Sequence, residues 1–247
     1  MQARKCRLVN ADCTVPPKSA SLRLVPVVPA ALTILFRDAH LIAVDKPAGL
    51  AVHRGWARER DVAMVRVRDQ IDAHVFPVHR LDRATSGVLL FALSAEMAAR
   101  VCASFAAGKT EKTYLALVRG VPPEEILVDH PLPSGEDSHA PRVSAQTRIF
   151  RREVFGRYSL VEARPLTGRL HQVRRHLKHI SCPLIGDVNY GKGDHNRLFR
   201  ERHGLHRLFL HATRLCLPHP AEGGQLHIAS PLPAELETVL QALREGI

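Results

Sequence analysis

HRLDRATSGVLLFAL, residues 79–93, sets one acid among arginines and runs straight into six apolar residues. The run VLLFAL, 88–93, reads as a buried strand. Asp82 lies two residues from Arg80 and next to Arg83. An aspartate beside an arginine is most often a plain structural ion pair. Three features argue for chemistry here. The segment sits directly before a strongly apolar strand, which can hold a site residue rigidly. Thr85-Ser86-Gly87 offers hydroxyls and a permissive backbone to fix the loop. No partner acid, nucleophilic Ser/His pair or metal cluster stands out elsewhere. A single carboxylate held ionised by guanidinium groups can act as nucleophile or base without a cofactor.

Outward from this stretch the pattern is one of strands. LTILFRDAHLIAVDKPAG, 32–49, reads as two apolar runs about a polar turn, closed by Pro47-Ala-Gly49. Val67, Ile71 and Val75 form a helical stripe within 61–75. Ser94 is the expected N-cap of a helix with Met97, Val101 and Phe105 on one face, and Gly108 its stop. TYLALV (113–118), an alternating strand from Val143 to Ile149, YSLVEA (158–163) and RLFLHATRL (207–215) follow. Proline-rich 122–142 reads as loop. Thr167 is the expected cap of a helix carrying Leu170, Val173, Leu177 and Ile180, cationic on its other side and closed by Pro183. A last helix spans 233–245. Strands outnumber helices without strict β-α alternation. The expected class is therefore α+β, a mixed, mostly antiparallel central sheet with flanking helices.

Composition narrows the partner. Of 247 residues, 35 are Lys or Arg and 24 Asp or Glu, giving a formal charge of +11. That excess points to a polyanion. The five cysteines form no Cys-x-x-Cys pair, which speaks against a zinc site or disulfide framework and fits a reducing cytoplasm. No metal site is expected among the histidines. No apolar stretch reaches the ~18 residues of a bilayer span, so no membrane partner is expected. Residues 1–31 read as a flexible basic extension and 32–247 as one domain.

HRLDRATSG resembles the catalytic motif of the RluA family of pseudouridine synthases, His-Arg-Leu-Asp-x-x-Thr-Ser-Gly. Other family segments follow in order: LIAVDKPAGLAVHRG (41–55), KTYLALVRG (112–120), LTGRLHQVRRHL (166–177), CPLIGDVNYG (182–191) and LFLHA (208–212). The resemblance spans roughly residues 32 to 230. It implies the pseudouridine synthase fold with a catalytic cleft, an RNA substrate and no cofactor. In the family reaction uracil detaches at N1, rotates and rejoins the same ribose through C5.

Carried over by position, the resemblance makes Asp82 the catalytic aspartate, attacking C1′ or taking a proton from C2′. Arg169 is expected to pair with Asp82. Tyr114 is expected to stack on the uracil and help take the C5 proton; the competing role is a core strand tyrosine. Arg80 is expected to fill the gap left by a flipped base, or else to pair with Asp82 itself. Arg174, Lys46, Lys112, Arg175 and Lys178 are expected RNA contacts. His79, Thr85, Ser86, Gly87, His171 and Gln172 are expected to support the site, and Asp187, Tyr190 and Gly191 to be structural.

About 31 residues precede the first motif, too few for the S4 RNA-binding domain of many ribosomal members. HNRLFRERHGLHRLFLHATRL (195–215) in particular is similar to a branch that modifies uridine 65 in the T-arm stem of tRNA. The implied protein is a cytoplasmic, monomeric tRNA-modifying enzyme. Two alternatives stand beside it: a synthase acting on ribosomal RNA or another tRNA position, and an RNA-binding or remodelling protein whose catalysis is dispensable. A hydrolytic glycosidase lacks its second carboxylate.

Overall fold

The computed structural model describes residues 30–54, 61–135, 137 and 139–246. The expected basic extension lies, but for residues 30 and 31, outside the described residues. Leu32 is already buried, packing with Val44, Val52 and Val67.

The elements in chain order are β1 (Ile34–Arg37), β2 (Leu41–Lys46), α1 (Ala63–Ile71), β3 (Phe76–Pro77), β4 (Ser86–Ala92), α2 (Ala95–Ala106), β5 (Glu111–Arg119), β6 (Glu125–Asp129), β7 (Leu132–Pro133), β8 (Arg142–Val143), β9 (Gln146–Phe155), β10 (Tyr158–Pro165), α3 (Gln172–His179), α4 (Gly193–His203), β11 (Leu210–Pro218), β12 (Gln225–Ala229) and α5 (Ala234–Arg244). The main sheet runs β1-β2-β4-β11-β5-β10-β9-β6, with β12 on β11 and β3 on β4. Of its described strand pairs only β4 with β11 is parallel. The architecture is thus the expected mixed, mostly antiparallel sheet with helices against it.

Residue pattern explains the central strands. Every residue of β4 is buried, because α1 covers one face and α2 the other. Leu89 and Phe91 pack with Val67; Val88, Leu90 and Ala92 pack with Met97 and Val101. Ser94 caps α2 through Met97 N–H at 3.2 Å, as its side chain suits. No helix of the described residues is long and apolar enough to cross a membrane.

Three local expectations are corrected, and one helix had no expectation at all. Residues 122–142 hold β6, β7 and β8 rather than loop alone: Ile126 and Val128 alternate inward while the prolines fall outside β6. Helix α4 emerges from a polar stretch in which Phe199 alone is fully buried. Helix α1 stops at Ile71, since Asp72 turns left-handed (φ 50°) and leaves Val75 beyond it. Thr167 does not cap α3, which begins five residues later; its Oγ1 accepts from Gln146 N–H and donates to Gln172 Oε1.

Candidate active site

The loop before β4 is fixed from three sides. From below, Gly87 (φ +113°) lets β4 meet β11 so closely that a Cβ would sit 2.2 Å from the Ala212 carbonyl oxygen. Beside it, Ser86 Oγ takes a hydrogen bond from Arg207 Nη2 (2.6 Å) and contacts His211 Nδ1 (2.8 Å). From the β2 side, Lys46 Nζ donates to the carbonyls of Pro47, Leu50 and Arg83 at 2.8, 2.8 and 3.2 Å. Gly49 N–H also reaches the Arg83 carbonyl at 2.8 Å. Within the loop, Thr85 N–H donates to the Asp82 carbonyl at 3.0 Å. These bonds pin Asp82 and the residues that follow it, and its own carboxylate is 23% exposed and faces a cleft.

Helix α3 supplies the cation. His171 adopts a left-handed backbone (φ 52°), and the helix starts at the next residue. Val173 and Leu177 then pack on β9 and β10 with Ile149, Val161 and Ala163. That seating places Arg174 under the cleft, 6% exposed. Its Nε and Nη2 grip Asp187 at 2.7 and 2.9 Å, and its Nη1 donates to Asp82 Oδ2 at 3.2 Å. Burial would raise the Asp187 carboxyl, but the Arg174 guanidinium and the N–H groups of Tyr190 and Asn189 hold it below the usual range. The fork fits a bidentate carboxylate and leaves one amino group for the second acid. His171 Nε2 stands 4.0 Å from Asp82 Oδ2; burial pushes this imidazole down, against the pull of Asp82.

The rest of the cleft is walled by Tyr114, Lys112, His79 and Phe105, around about 280 Å³. Tyr114 sits on β5 between Ala163 of β10 and Ala212 of β11. Burial raises its phenol well above the ordinary value, and the Asp82 charge adds to this. The hydroxyl therefore stays protonated at neutral pH. Lys112 Nζ donates to the Thr167 carbonyl at 3.1 Å, and burial lowers its pKa. His79 accepts Leu90 N–H at its Nε2 (2.9 Å) and stacks on Phe105; burial depresses it to about 3. It is thus a neutral support for the loop.

Asp82, Tyr114, Arg80, Arg169, Arg174, Lys112, His79, Thr85, His171 and Gln172 line this one cleft. Several expected roles need correction. Arg169 does not pair with Asp82: it precedes the helix, is exposed, and its Nε donates to the Ser144 carbonyl at 3.0 Å. Arg174, expected to touch RNA, is the buried partner instead. Lys46 is no RNA contact either; it is fully buried with its donors on three carbonyls, and burial lowers it to about 7. Arg175 is tied to Tyr190 Oη (3.0 Å) and to the carbonyls of Pro133 and Gly135. Lys178 is exposed, 5.7 Å from the Tyr190 ring centre. Gln172 lies beneath the loop, bonded to Gln146, Thr147 and Thr167. The Arg207 and His211 supports went unread, as did the direct link of Asp187 to the site. The signal for His211 was a lone polar residue inside an apolar run, LFLHA.

A part-buried carboxylate held by a buried guanidinium, in one base-sized cleft with a protonated tyrosine, defines a class. The family model described as RNA pseudouridylate synthase matches residues 40–179, and the chain belongs to this family. It is a pseudouridine synthase of the RluA type. Among its relatives, the tRNA pseudouridine synthase C of Vibrio parahaemolyticus serotype O3:K6 is 43% identical over 219 residues, covering 80% of this chain and 89% of that protein. The protein of the same name from Haemophilus ducreyi is 46% identical over 209 residues, covering 76% and 86%. Among solved structures, Human RNA Pseudouridylate Synthase Domain Containing 4 superposes with a TM-score of 0.71 at 29% identity, covering 86% of this chain and 93% of that one.

Proposed function

We propose that this synthase isomerises a uridine of tRNA, at position 65 in the T-arm stem, with Asp82 as the group that acts on the sugar. The observation that carries the reading is the Asp82 carboxylate, held at 3.2 Å by Arg174 and opening onto the same cleft as Tyr114. The tRNA substrate rests on the names of relatives at 43% and 46% identity.

The reaction is the one membership of the family implies. The N1–C1′ bond breaks, the uracil turns about, and a C5–C1′ bond forms; the C5 proton leaves at the end. Asp82 balances the positive character of the ribose, as an ester at C1′ or as the base that takes the C2′ proton. Arg174 orients that carboxylate and stays bound to Asp187 throughout, so it need not reorganise. Tyr114 stacks on the uracil; because its hydroxyl stays protonated it donates a hydrogen bond rather than taking the C5 proton as expected, and that proton passes to water entering the cleft. A cleft of about 280 Å³ suits a single base rather than a duplex. The uridine must therefore leave its helix, at a cost of a few kcal/mol. Arg80, exposed at the rim, fills the space left behind. The enzyme needs no cofactor, acts as a monomer, and works in the cytoplasm.

The test is tritium release from RNA labelled at uridine C5. Release is expected from tRNA transcripts and not from ribosomal RNA fragments, and a transcript with cytidine at position 65 should release none. Release from ribosomal RNA alone would overturn the substrate. Arg80→Ala should slow turnover on a structured arm more than on a short flexible strand, and equal losses on both would remove the flipping role.

A further inference from the structure

Cations without acidic partners gather at a second place, beyond the cleft. Arg148, Arg151, Arg152, Arg164 and Arg244 on the neighbouring surface are each paired with a glutamate. Arg119, Arg157, Lys192, Arg197, Arg200 and Arg202 are exposed, and none forms an ion pair among the described residues. They come from three segments that the fold brings together. Arg119 ends β5 opposite Tyr158, Arg157 sits in the β9–β10 turn, and the others are on or just before α4. Tyr158 Oη meets His195 Nδ1 at 2.8 Å, which seats α4 against that strand end. Burial lowers the His195 imidazole, and Arg119 and Arg157 lower it further. Asp194 and Glu201 are the acids on α4, so cations exceed acids here by six to two.

This surface is joined to the active site. Asn196 of α4 bonds the Asp187 carbonyl and Gly186 N–H at 2.8 Å each, and Asp187 is the carboxylate that holds Arg174. Tyr190, just before α4, touches His171 and Arg175 at the cleft edge. Arg119 is five residues along β5 from Tyr114, about 16 Å at strand spacing. The odd spacing sets the two side chains on opposite faces of the sheet, with Ala116 and Val118 packed on the cleft side and Leu117 packed with Phe199 of α4, so RNA in the cleft reaches this surface around the strand end and not along one stacked strand. Such a set of unpaired guanidinium groups suits phosphate oxygens.

We infer that Arg119, Arg157 and the α4 cations form a second RNA-backbone contact, gripping the tRNA outside the stem that holds the target uridine. The inference rests on the tRNA reading above and adds to it which part of the molecule is held. An isolated T-arm stem-loop then loses this grip while keeping the cleft contacts.

The experiment compares the full-length enzyme with its Arg119→Ala/Arg157→Ala/Arg202→Ala variant, whose altered side chains are all exposed. Filter binding gives Kd for full-length tRNA transcript and for the T-arm stem-loop, each across a salt series. Turnover on full-length transcript is read by tritium release, and far-UV circular dichroism checks folding. The variant should bind full-length tRNA at least about tenfold more weakly, with a log–log salt slope smaller by about two to three. KM should rise with kcat unchanged, and stem-loop affinity should stay the same. Unchanged full-length affinity and slope would overturn the inference, and so would equal losses on both RNAs. Absence of turnover on tRNA by the unmodified enzyme would instead overturn the substrate reading and the inference with it.

Discussion

Arg174 shares one guanidinium between two carboxylates, with Asp187 taking two of its donors and Asp82 the third. Removing it strands a fully buried acid. Arg174→Ala should therefore cost about 3–5 kcal/mol of stability and abolish turnover. Arg169→Ala, at an exposed side chain bonded to one carbonyl, should cost less than about 0.5 kcal/mol. Urea unfolding of the two variants checks the contrast; equal losses would contradict the assignment of Arg174 as the partner of Asp82. Asp82 was legible as a lone acid before an apolar strand and Tyr114 only through the family resemblance, and both line the one cleft. The sequence reading misplaced the cation because the choice between Arg169 and Arg174 depends on a single dihedral. His171 turns left-handed at φ 52°, the helix starts after it, and only then does position 174 point under the cleft. A non-glycine residue in that region leaves no mark in the sequence pattern. Lys46 was misread for a related reason: a lysine in a loop motif is usually solvated, and its burial depends on carbonyls contributed from residues 47 to 83.

At the scale of elements, the site depends on the parallel contact between β4 and β11, at Ser86 with His211 and Gly87 with Ala212. Both strands were legible as apolar runs, but their pairing joins segments 125 residues apart and no local pattern encodes it. Gly87 is where the two backbones touch. Gly87→Ala combines a positive φ with a Cβ placed against the Ala212 backbone, so it should cost about 3 kcal/mol or more and lower activity with it. Gly108 also has a positive φ (68°) but nothing within 4 Å of a Cβ. Gly108→Ala should cost only about 1–2 kcal/mol. Thermal unfolding of the pair separates strand contact from backbone strain, and similar melting temperatures would show that the close approach does not matter. Helix α4 and strand β6 escaped the sequence reading because one is polar on most of its surface and the other is flanked by prolines.

Across the whole molecule, charge sets the pH response. His79 is held near 3, and burial also lowers His176 and His211. In the unfolded chain these groups bind protons below about pH 6.5, while the folded chain leaves them neutral. The unfolded state thus takes up more protons, and stability must fall as pH drops from about 6.5 toward the folded values. Asp187 acts in the same direction at lower pH: its folded pKa is depressed, so its contribution is complete above the unfolded value and disappears as pH falls through the folded one. The urea midpoint should be clearly lower at about pH 5 than at about pH 7.5. An equal midpoint at both would contradict the neutral, buried state of these imidazoles. The excess of 35 basic over 24 acidic residues was legible at once as a sign of a polyanion, whereas which cations face it required the fold. Of the six assigned to RNA, four (Arg174, Lys46, Lys112 and Arg175) are bonded inside the protein.

In the proposed function the Asp82 carboxylate performs the chemistry while the surrounding residues bind and orient the RNA. The most direct measurement pairs tritium release from C5-labelled tRNA with filter binding, for the unmodified enzyme and for Asp82→Asn. Asp82→Asn should bind tRNA with an unchanged Kd and release no tritium. Release near the unmodified rate would contradict this role of Asp82.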